Sequence, residues 1–316
     1  MEKYDVIVLG GGPAGLSAGI YLSRARLKTL ILNEGTAGGQ MVLTHEIANY
    51  PGVEKISGYQ LANIMRKQAK EFGCDIRNNI SVAGTDLKGD EKKISLSDGS
   101  VYTSYSVILT PGGRPRTLNI PGEADLKGRG ISYCATCDGD FFAGKEIVVV
   151  GGGNSALEEA VSLTRYASKV TVVHQFDHFQ AFNHAIEEAR ANPKIDFRME
   201  SVLTAFNGTE KLESVEIKEL KTGEKYRFAA EGVFIFIGYV PNTSFLVNTV
   251  KMNDYGEIMV NNDMATSIRG VFAAGDSIAK KYRQISTAVG EGTIAALAAT
   301  DFTYQLKNKM KHELIS

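Results

Sequence analysis

The sequence is short of cysteine, of net charge and of long apolar runs. Three cysteines among 316 residues are too few for the disulfide framework of a small secreted domain. The formal net charge of −1 supplies no broad basic field, which argues against nucleic acid as a partner. No apolar run approaches the roughly 18 residues that cross a bilayer, and MEKYDVIVLG lacks a signal-peptide pattern. The sequence therefore predicts a cytoplasmic protein with neither a membrane nor a nucleic-acid partner.

Glycine, by contrast, is abundant, with 33 residues, and one group of glycines follows the first apolar run. YDVIVL reads as a short buried strand, GGGPAG follows it, and a helical pattern runs from about Leu16 to Arg26. Gly10, Gly12 and Gly15 fit GxGxxG, in which the glycines make the turn, admit a pyrophosphate and allow the helix to pack on the strand. This pattern predicts a dinucleotide site at the helix N-terminus.

The same arrangement occurs a second time. In EIVVVGGGNSALEEAVSL an apolar strand again precedes the glycines and a helix follows, with Gly151, Gly153 and Ala156 in the three motif positions. A single motif is weak evidence, but two in one chain favour two dinucleotide sites in an α/β fold. The alternative for the second motif is a glycine-rich turn that holds no ligand.

An acidic ribose ligand is expected at the end of the strand after each motif. In the first half that position offers Asn33 and Glu34, either of which could reach a ribose. In the second half it offers His174 and Gln175, so the usual acid is missing. The second site is therefore expected to be the weaker of the two.

The C-terminal part contains a further strand and glycine turn, VFAAGDS, which ends in Asp276. This carboxylate could bind a cofactor sugar or could cap a new helix. If residues 271–292 return to the first nucleotide unit, one domain comprises residues 1–116 and 245–316. Residues 117–244 then form an inserted domain, bounded by Pro115 and Pro121 on one side and by YVPNTS on the other.

The stretch ISYCATCDGDFF places Cys134 and Cys137 in a CxxC motif, which is open to three interpretations: a structural staple, half of a metal clamp or a redox couple. A structural zinc site needs four ligands, and the remaining cysteine is Cys74, which we interpret as a small buried residue. His174 and His178 are four residues apart and could share a helix face, although a strand end is the more natural place for them. No metal site is predicted.

Taken together, the motifs closely resemble the low-molecular-weight thioredoxin reductase family of flavoproteins over nearly the whole chain. The resemblance is carried by GGGPAGLSAGIY, by GGQ and IANYPG, by CATCDG, by GGGNSALEEA, by GVFIFIGYVPNT, and by VFAAGDS with RQISTAVGEG. It implies an α/β fold of two Rossmann-like dinucleotide-binding domains, the second inserted into the first. It further implies that the inserted domain carries the CxxC motif and rotates against the first, and that the protein is a homodimer.

The resemblance also assigns residues to the cofactors. For FAD these are Gly10, Gly12, Pro13, Ala14, Gly15, Asn33, Glu34, Gly39, Gln40, Asn49, Gly112, Gly275, Asp276, Arg283 and Gln284. For a nicotinamide nucleotide they are Gly151, Gly153, Asn154, Ser155 and Ala156. By the same resemblance, Cys134 and Cys137 are the redox-active pair, which passes electrons from the flavin to the disulfide of thioredoxin, and Asp138 is the acid and base that manages the thiol proton.

One segment departs from the family pattern. Typical members carry HRRxxxR after the second nucleotide strand, where the arginines bind the 2′-phosphate of NADPH, whereas this chain reads HQFDHFQ, with Gln175, Phe176 and Gln180 at the arginine positions. Losing two or three charge-assisted hydrogen bonds removes on the order of 3–6 kcal/mol, which is about a hundredfold or more in affinity. NADPH is therefore not the expected donor, and NADH or reduced ferredoxin is expected in its place.

Two other functions are compatible with the same residues. A small-molecule dithiol oxidase of this fold would use FAD and CxxC and pass electrons to oxygen. A flavin-binding redox sensor would use the cysteine pair to change its affinity for a partner. The leading hypothesis is an FAD-dependent thioredoxin-disulfide reductase with an atypical electron donor.

Overall fold

The computed structural model describes residues 2–44 and 47–315, and the chain forms two compact units. Unit 1 comprises Met1–Arg114 and Val240–Ser316, and unit 2 comprises Pro115–Tyr239. Two strands, β9 (Gly113–Pro115) and β18 (Tyr239–Pro241), pair where the chain leaves and re-enters unit 1. The assignment of one cofactor to each unit stays a prediction.

Unit 1 is built on a five-stranded parallel sheet with helices packed against it. Its helices are α1 (Pro13–Arg24), α2 (Gly58–Glu71) and α7 (Ile285–Ile315). Its other strands are β1 (Glu2–Lys3), β2 (Val6–Leu9), β3 (Thr29–Leu32), β4 (Asp75–Arg77), β5 (Val82–Asp86), β6 (Lys92–Leu96), β7 (Val101–Ser104), β8 (Ser106–Leu109) and β19 (Val271–Ala273). The parallel sheet has the order β19-β8-β2-β3-β4, and a second sheet has the order β1-β7-β6-β5.

The central strands of unit 1 are continuous apolar runs because the parallel sheet is covered on both faces. All four residues of β2 are buried, and Val6 and Val8 pack into one core cluster while Ile7 and Leu9 pack into another. β2 pairs with β3 from Val6 opposite Thr29 to Leu9 opposite Leu32. The glycine turn that follows β2 therefore starts from the middle of the sheet.

Helix α1 begins at Pro13, one turn before the predicted start at Leu16, so that boundary was wrong. Proline lacks an N–H and has a fixed φ, which suits the first turn of a helix, where that N–H would have no partner inside the helix. α1 packs closely on α7, because a Cβ on Gly292 would lie 2.2 Å from the carbonyl oxygen of Ala14. The first turn of α1 therefore lies against α7.

Unit 2 repeats this plan with its own elements. Its helices are α3 (Glu123–Leu126), α4 (Ala135–Asp138), α5 (Asn154–Leu163) and α6 (Asn183–Ala191). Its strands are β10 (Ile131–Ser132), β11 (Glu146–Val150), β12 (Lys169–Val173), β13 (Ile195–Arg198), β14 (Ser201–Gly208), β15 (Leu212–Glu219), β16 (Lys225–Ala229) and β17 (Gly232–Ile235). The parallel sheet has the order β10-β17-β11-β12-β13, and β14, β15 and β16 form an antiparallel sheet.

The cores of unit 2 lie on the two faces of β11. Ile147 and Val149 pack with α5 and α6, whereas Val148 and Val150 pack with the antiparallel sheet. The predicted α/β fold of two Rossmann-like domains is confirmed. Among the described residues, no helix combines the length and the apolar character that a membrane span needs.

Candidate functional site

The three glycines of the first motif differ in what surrounds them. A Cβ on Gly10 would lie 2.1 Å from the carbonyl oxygen of Thr110, and one on Gly15 would lie 1.9 Å from that of Gly10. A Cβ on Gly12 would instead meet only the Cα of Gly39, at 3.9 Å. Gly10 and Gly15 are therefore required by packing, whereas Gly12 leaves open the face on which a pyrophosphate would approach.

The side chain of Asn33 stabilises this loop, so its amide is not free to bind a ribose. Its Oδ1 accepts a hydrogen bond from the backbone N–H of Gly11 at 2.7 Å, and its Nδ2 donates to the carbonyl oxygen of Gly35 at 2.6 Å. Glu34 follows directly and is exposed. Of the two residues predicted as ribose ligands, Glu34 is the one whose side chain is directed to solvent.

Asp276 lies three residues after the end of β19, in a short 3-10 turn, Gly275–Ser277, which ends in extended backbone at Ile278. The next helix, α7, begins only at Ile285. Asp276 therefore caps no long helix, and the helix-cap alternative is wrong. Its Oδ1 is buried and, among the described residues, is ion-paired with Lys280 without a well-oriented hydrogen bond.

Two charged residues near Asp276, Lys280 and Glu291, were not identified from the sequence. Lys280 is nearly buried, with its Nζ 3.1 Å from Asp276 Oδ1 and 2.8 Å from Glu291 Oε2. Glu291 Oε2 also accepts from the backbone N–H of Gly275 at 3.0 Å. Burial raises the pKa of Glu291, and its hydrogen bond with Lys280 opposes that rise. No motif or spacing assigned a role to Lys280 or Glu291, because both contacts are defined only by the folded chain.

The other predicted FAD residues also lie in unit 1. Asn49 Nδ2 donates to Gln284 Oε1 at 3.4 Å, so these two residues meet. Arg283 forms an ion pair with Glu257, and its Nε contacts the carbonyl oxygen of Asp276 at 3.5 Å. The remaining predicted FAD positions lie in unit 1 as well. Pro13 and Ala14 are in the first turn of α1, Gly39 and Gln40 begin a 3-10 helix, and Gly112 lies in the loop after β8.

These residues fit FAD on two observations, the open face at Gly12 and the buried Oδ1 of Asp276, which has an ion pair with Lys280 but still lacks a hydrogen bond. The pyrophosphate would lie on the glycine turn, and Asp276 would accept a hydrogen bond from a hydroxyl group of the ribityl chain. When bound, FAD supplies a carrier that accepts and gives two electrons.

The CxxC motif forms a disulfide in unit 2. Cys134 and Cys137 are bonded, with their Cα atoms 5.3 Å apart, within the usual range for a disulfide. Cys134 follows β10 and precedes the single turn of α4, so its Sγ accepts a hydrogen bond from the backbone N–H of Cys137 at 3.2 Å. That hydrogen bond would stabilise negative charge on Cys134 once the disulfide is reduced.

Asp138 is held beside the disulfide by Ser132, another residue that the sequence reasoning missed. The Ser132 hydroxyl donates to Asp138 Oδ2 at 2.6 Å and accepts from the backbone N–H of Cys134 at 3.1 Å. Burial raises the pKa of Asp138, the charge of Asp140 raises it further, and the hydrogen bond from Ser132 lowers it. An acid with a raised pKa at this position suits proton transfer at a thiol.

The second glycine loop has the geometry of a strand-to-helix turn. Gly151 has a φ of +138°, and a Cβ there would lie 2.4 Å from the carbonyl oxygen of Phe236. Gly153 precedes α5, while Asn154 begins it and accepts, through Oδ1, the backbone N–H of Phe182 at 2.7 Å. Ser155 is exposed and Ala156 is buried. All five predicted nicotinamide positions therefore lie on one loop and helix start.

The segment after β12 folds back on that loop. Its first residue, His174, is 4% exposed, and a Cβ on Gly152 would lie 2.4 Å from the imidazole ring. His174 Nε2 is 3.1 Å from the carbonyl oxygen of His178, and the backbone N–H of Gln180 donates to Gly152 at 2.8 Å. His174 and Gln175 thus provide no acid, and the imidazole is not available to a ribose.

His174 and His178 do not share a helix face, because residues 174–179 form no helix. Over the described ranges, no group of three histidine, cysteine or acidic side chains is placed to hold a metal ion. Cys74 is 5% exposed, and burial raises the pKa of its thiol to about 12. It is therefore protonated and unreactive at neutral pH.

Comparison with known proteins identifies the family. Residues 4–292 match the pyridine nucleotide-disulphide oxidoreductase family. The chain is 44% identical to the thioredoxin reductase of Bacillus subtilis (strain 168), over 98% of this chain and 97% of that protein. It is 40% identical to a 34.2 kDa protein in the rubredoxin operon of Clostridium pasteurianum, over 95% of this chain and 97% of that one.

A solved structure agrees with the sequence relatives. The thioredoxin reductase of Streptococcus pyogenes MGAS5005 superimposes with a TM-score of 0.92 at 40% identity, covering 96% of this chain and 99% of that one. The chain therefore belongs to the pyridine nucleotide-disulphide oxidoreductases, as a flavoprotein disulfide oxidoreductase of the low-molecular-weight thioredoxin reductase type.

Proposed function

We propose that this enzyme reduces the disulfide of thioredoxin or a close relative of it. The observation that carries the proposal is the Cys134–Cys137 disulfide with Asp138 hydrogen-bonded beside it. We also propose that unit 1 is the FAD-binding domain and unit 2 the inserted, nicotinamide-type domain. The resemblance further implies a homodimer.

In the proposed exchange, the reduced cysteine pair attacks the substrate disulfide. One thiolate forms a bond to a substrate sulfur, the substrate S–S bond breaks, and the departing sulfur takes the proton of Asp138. The carboxylate of Asp138 then takes the thiol proton of the second cysteine, which attacks the mixed disulfide and re-forms the Cys134–Cys137 bond, and the second substrate sulfur leaves with that proton from Asp138. The substrate gains two electrons and two protons, and the cysteine pair is oxidised.

The electron donor in this proposal is not NADPH. Gln175, Phe176 and Gln180 offer no positive charge to a 2′-phosphate, and Asp177 adds a negative one. Two or three missing charge-assisted hydrogen bonds correspond to a loss of about a hundredfold or more in affinity.

Between the remaining donors, the buried His174 favours a protein. The imidazole of His174 is hydrogen-bonded to the carbonyl oxygen of His178 and packed on Gly152. The end of β12 therefore supplies no side chain that could bind the ribose of NADH. Reduced ferredoxin needs no such anchor and is the donor we propose, with NADH as the second candidate. The relative from a rubredoxin operon makes rubredoxin a further protein carrier to be tested.

An anaerobic titration of the oxidised holoenzyme distinguishes these donors. NADPH, NADH, reduced ferredoxin and reduced rubredoxin are added separately while the flavin absorbance is followed. We expect ferredoxin to bleach the flavin and NADPH to leave it oxidised at micromolar concentration. Rapid bleaching by NADPH would overturn the donor proposal. A Cys134→Ser variant is the control, since its flavin should still be reduced while thioredoxin turnover stops.

The same preparation tests the two rival functions. A dithiol oxidase would produce hydrogen peroxide when a small dithiol is added in air, at a rate above that of thioredoxin reduction. A redox sensor would turn over very slowly with every donor. Either result would replace the reductase proposal.

A further inference from the structure

The hydroxyl group of Ser132 lies at the centre of the disulfide site and contacts three groups. It is 2.6 Å from Asp138 Oδ2, 3.1 Å from the backbone nitrogen of Cys134 and 3.3 Å from the carbonyl oxygen of Cys134. The side chain is 5% exposed, so water does not compete freely for these contacts. Ser132 ends β10, the strand that leads into Cys134.

A hydroxyl group donates one hydrogen bond and accepts up to two. The N–H of Cys134 has a fixed role as donor, so the single proton of Ser132 must go to one of two acceptors, Asp138 or the carbonyl oxygen of Cys134. The shorter distance assigns it to Asp138 when that residue is a carboxylate. When Asp138 carries a proton on Oδ2, it becomes the donor to Ser132, and the serine proton must turn to the carbonyl oxygen.

We propose that Ser132 is a positioning residue of the disulfide centre, whose hydroxyl turns between Asp138 and the carbonyl oxygen of Cys134 as Asp138 loses and gains its proton. In either state the Ser132 hydroxyl and Asp138 Oδ2 remain hydrogen-bonded. Asp138 can then give a proton to a departing sulfur and take one back without leaving a buried donor or acceptor unpaired, which would cost stability.

The charges that face Asp138 are few. Among the described residues, the charged group whose field acts on it is Asp140, on the 3-10 helix Gly139–Phe142 that follows α4. Asp140 disfavours the carboxylate, as burial does, whereas Ser132 favours it. Removing the hydroxyl therefore withdraws the contact that opposes these two effects, and Asp138 should hold its proton to higher pH.

The test uses Ser132→Val and Ser132→Thr in the full-length, oxidised holoenzyme. The two side chains have the same shape, but only threonine keeps the hydroxyl. The carbonyl stretching band of protonated Asp138, assigned by its loss in Asp138→Asn, is followed by infrared spectroscopy against pH. Ser201→Ala is the matched control, because Ser201 is also buried in unit 2 and donates only to the carbonyl oxygen of Met199 at 2.8 Å.

We expect Ser132→Val to move the titration midpoint of Asp138 upward, by about three- to tenfold in acid dissociation constant, and Ser132→Thr and Ser201→Ala to leave it in place. A midpoint that is the same in the valine and threonine variants would overturn the proposal. If the valine variant does not fold, Ser132→Ala replaces it, with the same expected shift.

This inference rests on the proposed acid–base role of Asp138, and the two are separable. The infrared titration needs no substrate and reads only the coupling between Ser132 and Asp138. The role of Asp138 is read from the exchange rate with oxidised thioredoxin, where an unchanged rate in Asp138→Asn would exclude it. In the active variants, the pH profile of that exchange should move with the infrared midpoint.

Discussion

At the scale of single residues, Asp138 is a carboxylic acid placed where its charge is unfavourable. Replacing it by asparagine should slow thiol–disulfide exchange by about 10²–10⁴-fold, the usual contribution of a general acid or base. Stopped-flow mixing of the reduced enzyme with oxidised thioredoxin measures this rate. A loss below threefold would exclude Asp138 from proton transfer.

The same substitution has a pH-dependent effect on stability. Burial raises the pKa of Asp138 above its ordinary value of 3.8, so the folded protein binds a proton that the unfolded chain has lost. The resulting stabilisation is complete below pH 3.8 and is lost as the pH rises through the higher, folded-state pKa. Asp138→Asn, which does not ionise, should therefore gain stability over the wild type with rising pH. Urea unfolding at acidic and alkaline pH checks the sign.

Lys280 is expected to stabilise the proposed FAD site, because its ammonium group pairs with the carboxylates of Asp276 and Glu291. Lys280→Met would leave Asp276 and Glu291 facing each other without a cation, at a cost of about 3 kcal/mol. We expect lower stability and weaker FAD binding, measured by denaturant unfolding and by fluorescence of released flavin. Lys281→Met is the matched control, because Lys281 is the next residue and is exposed; equal losses in both variants would contradict the role of Lys280.

The sequence points to single residues where a motif contains them, and not where a residue matters only through its partner in the fold. Cys134 and Gly12 belong to patterns that are readable from spacing alone. Ser132 and Lys280 carry no such signal, since each matters through a hydrogen bond or ion pair whose geometry only the folded chain defines. His174 was identified as a missing acid, but its burial against Gly152 depends on how residues 175–182 return to the loop.

At the scale of elements, the first strand, turn and helix separate packing from ligand binding. Gly15→Ala would place a Cβ 1.9 Å from the carbonyl oxygen of Gly10, so the turn should not close and the protein should be strongly destabilised. Gly12→Ala meets no atom closer than 3.9 Å and should fold, yet its methyl group would occupy the pyrophosphate face. We therefore expect Gly15→Ala to lower the thermal unfolding temperature, and Gly12→Ala to lower the flavin content of a protein that still folds. A Gly12→Ala protein with full flavin content would contradict the FAD assignment.

Element types followed from the sequence because burial on both faces of a parallel sheet leaves long apolar runs such as VIVL and EIVVV. The start of α1 was misplaced because the helical period becomes visible only at Leu16, whereas the proline that begins the helix contributes no periodicity. The helix-cap alternative for Asp276 failed for a related reason. The nearest helix begins several residues later, after a turn that has no regular pattern.

At the scale of the whole molecule, the two units have separate cores, and FAD is expected to bind only one of them. Calorimetry of the flavin-free protein should show two unfolding transitions. Adding FAD at a hundred times its dissociation constant should stabilise unit 1 by about 2.7 kcal/mol and move one transition only. A single transition, or an equal shift of both, would contradict this expectation.

The two parallel sheets share one strand plan, in which the central strand, β2 or β11, leads into the glycine turn and an edge strand lies two places away. In unit 1 that edge strand is β19, which leads to Asp276, and in unit 2 it is β10, which leads to Cys134. An edge strand pairs with a neighbour on one side only. The loop after it therefore tolerates changes of residue more readily than a loop after a central strand. In the proposed function, the loop after this edge strand therefore contacts the sugar part of FAD in unit 1 and carries electrons to the substrate in unit 2.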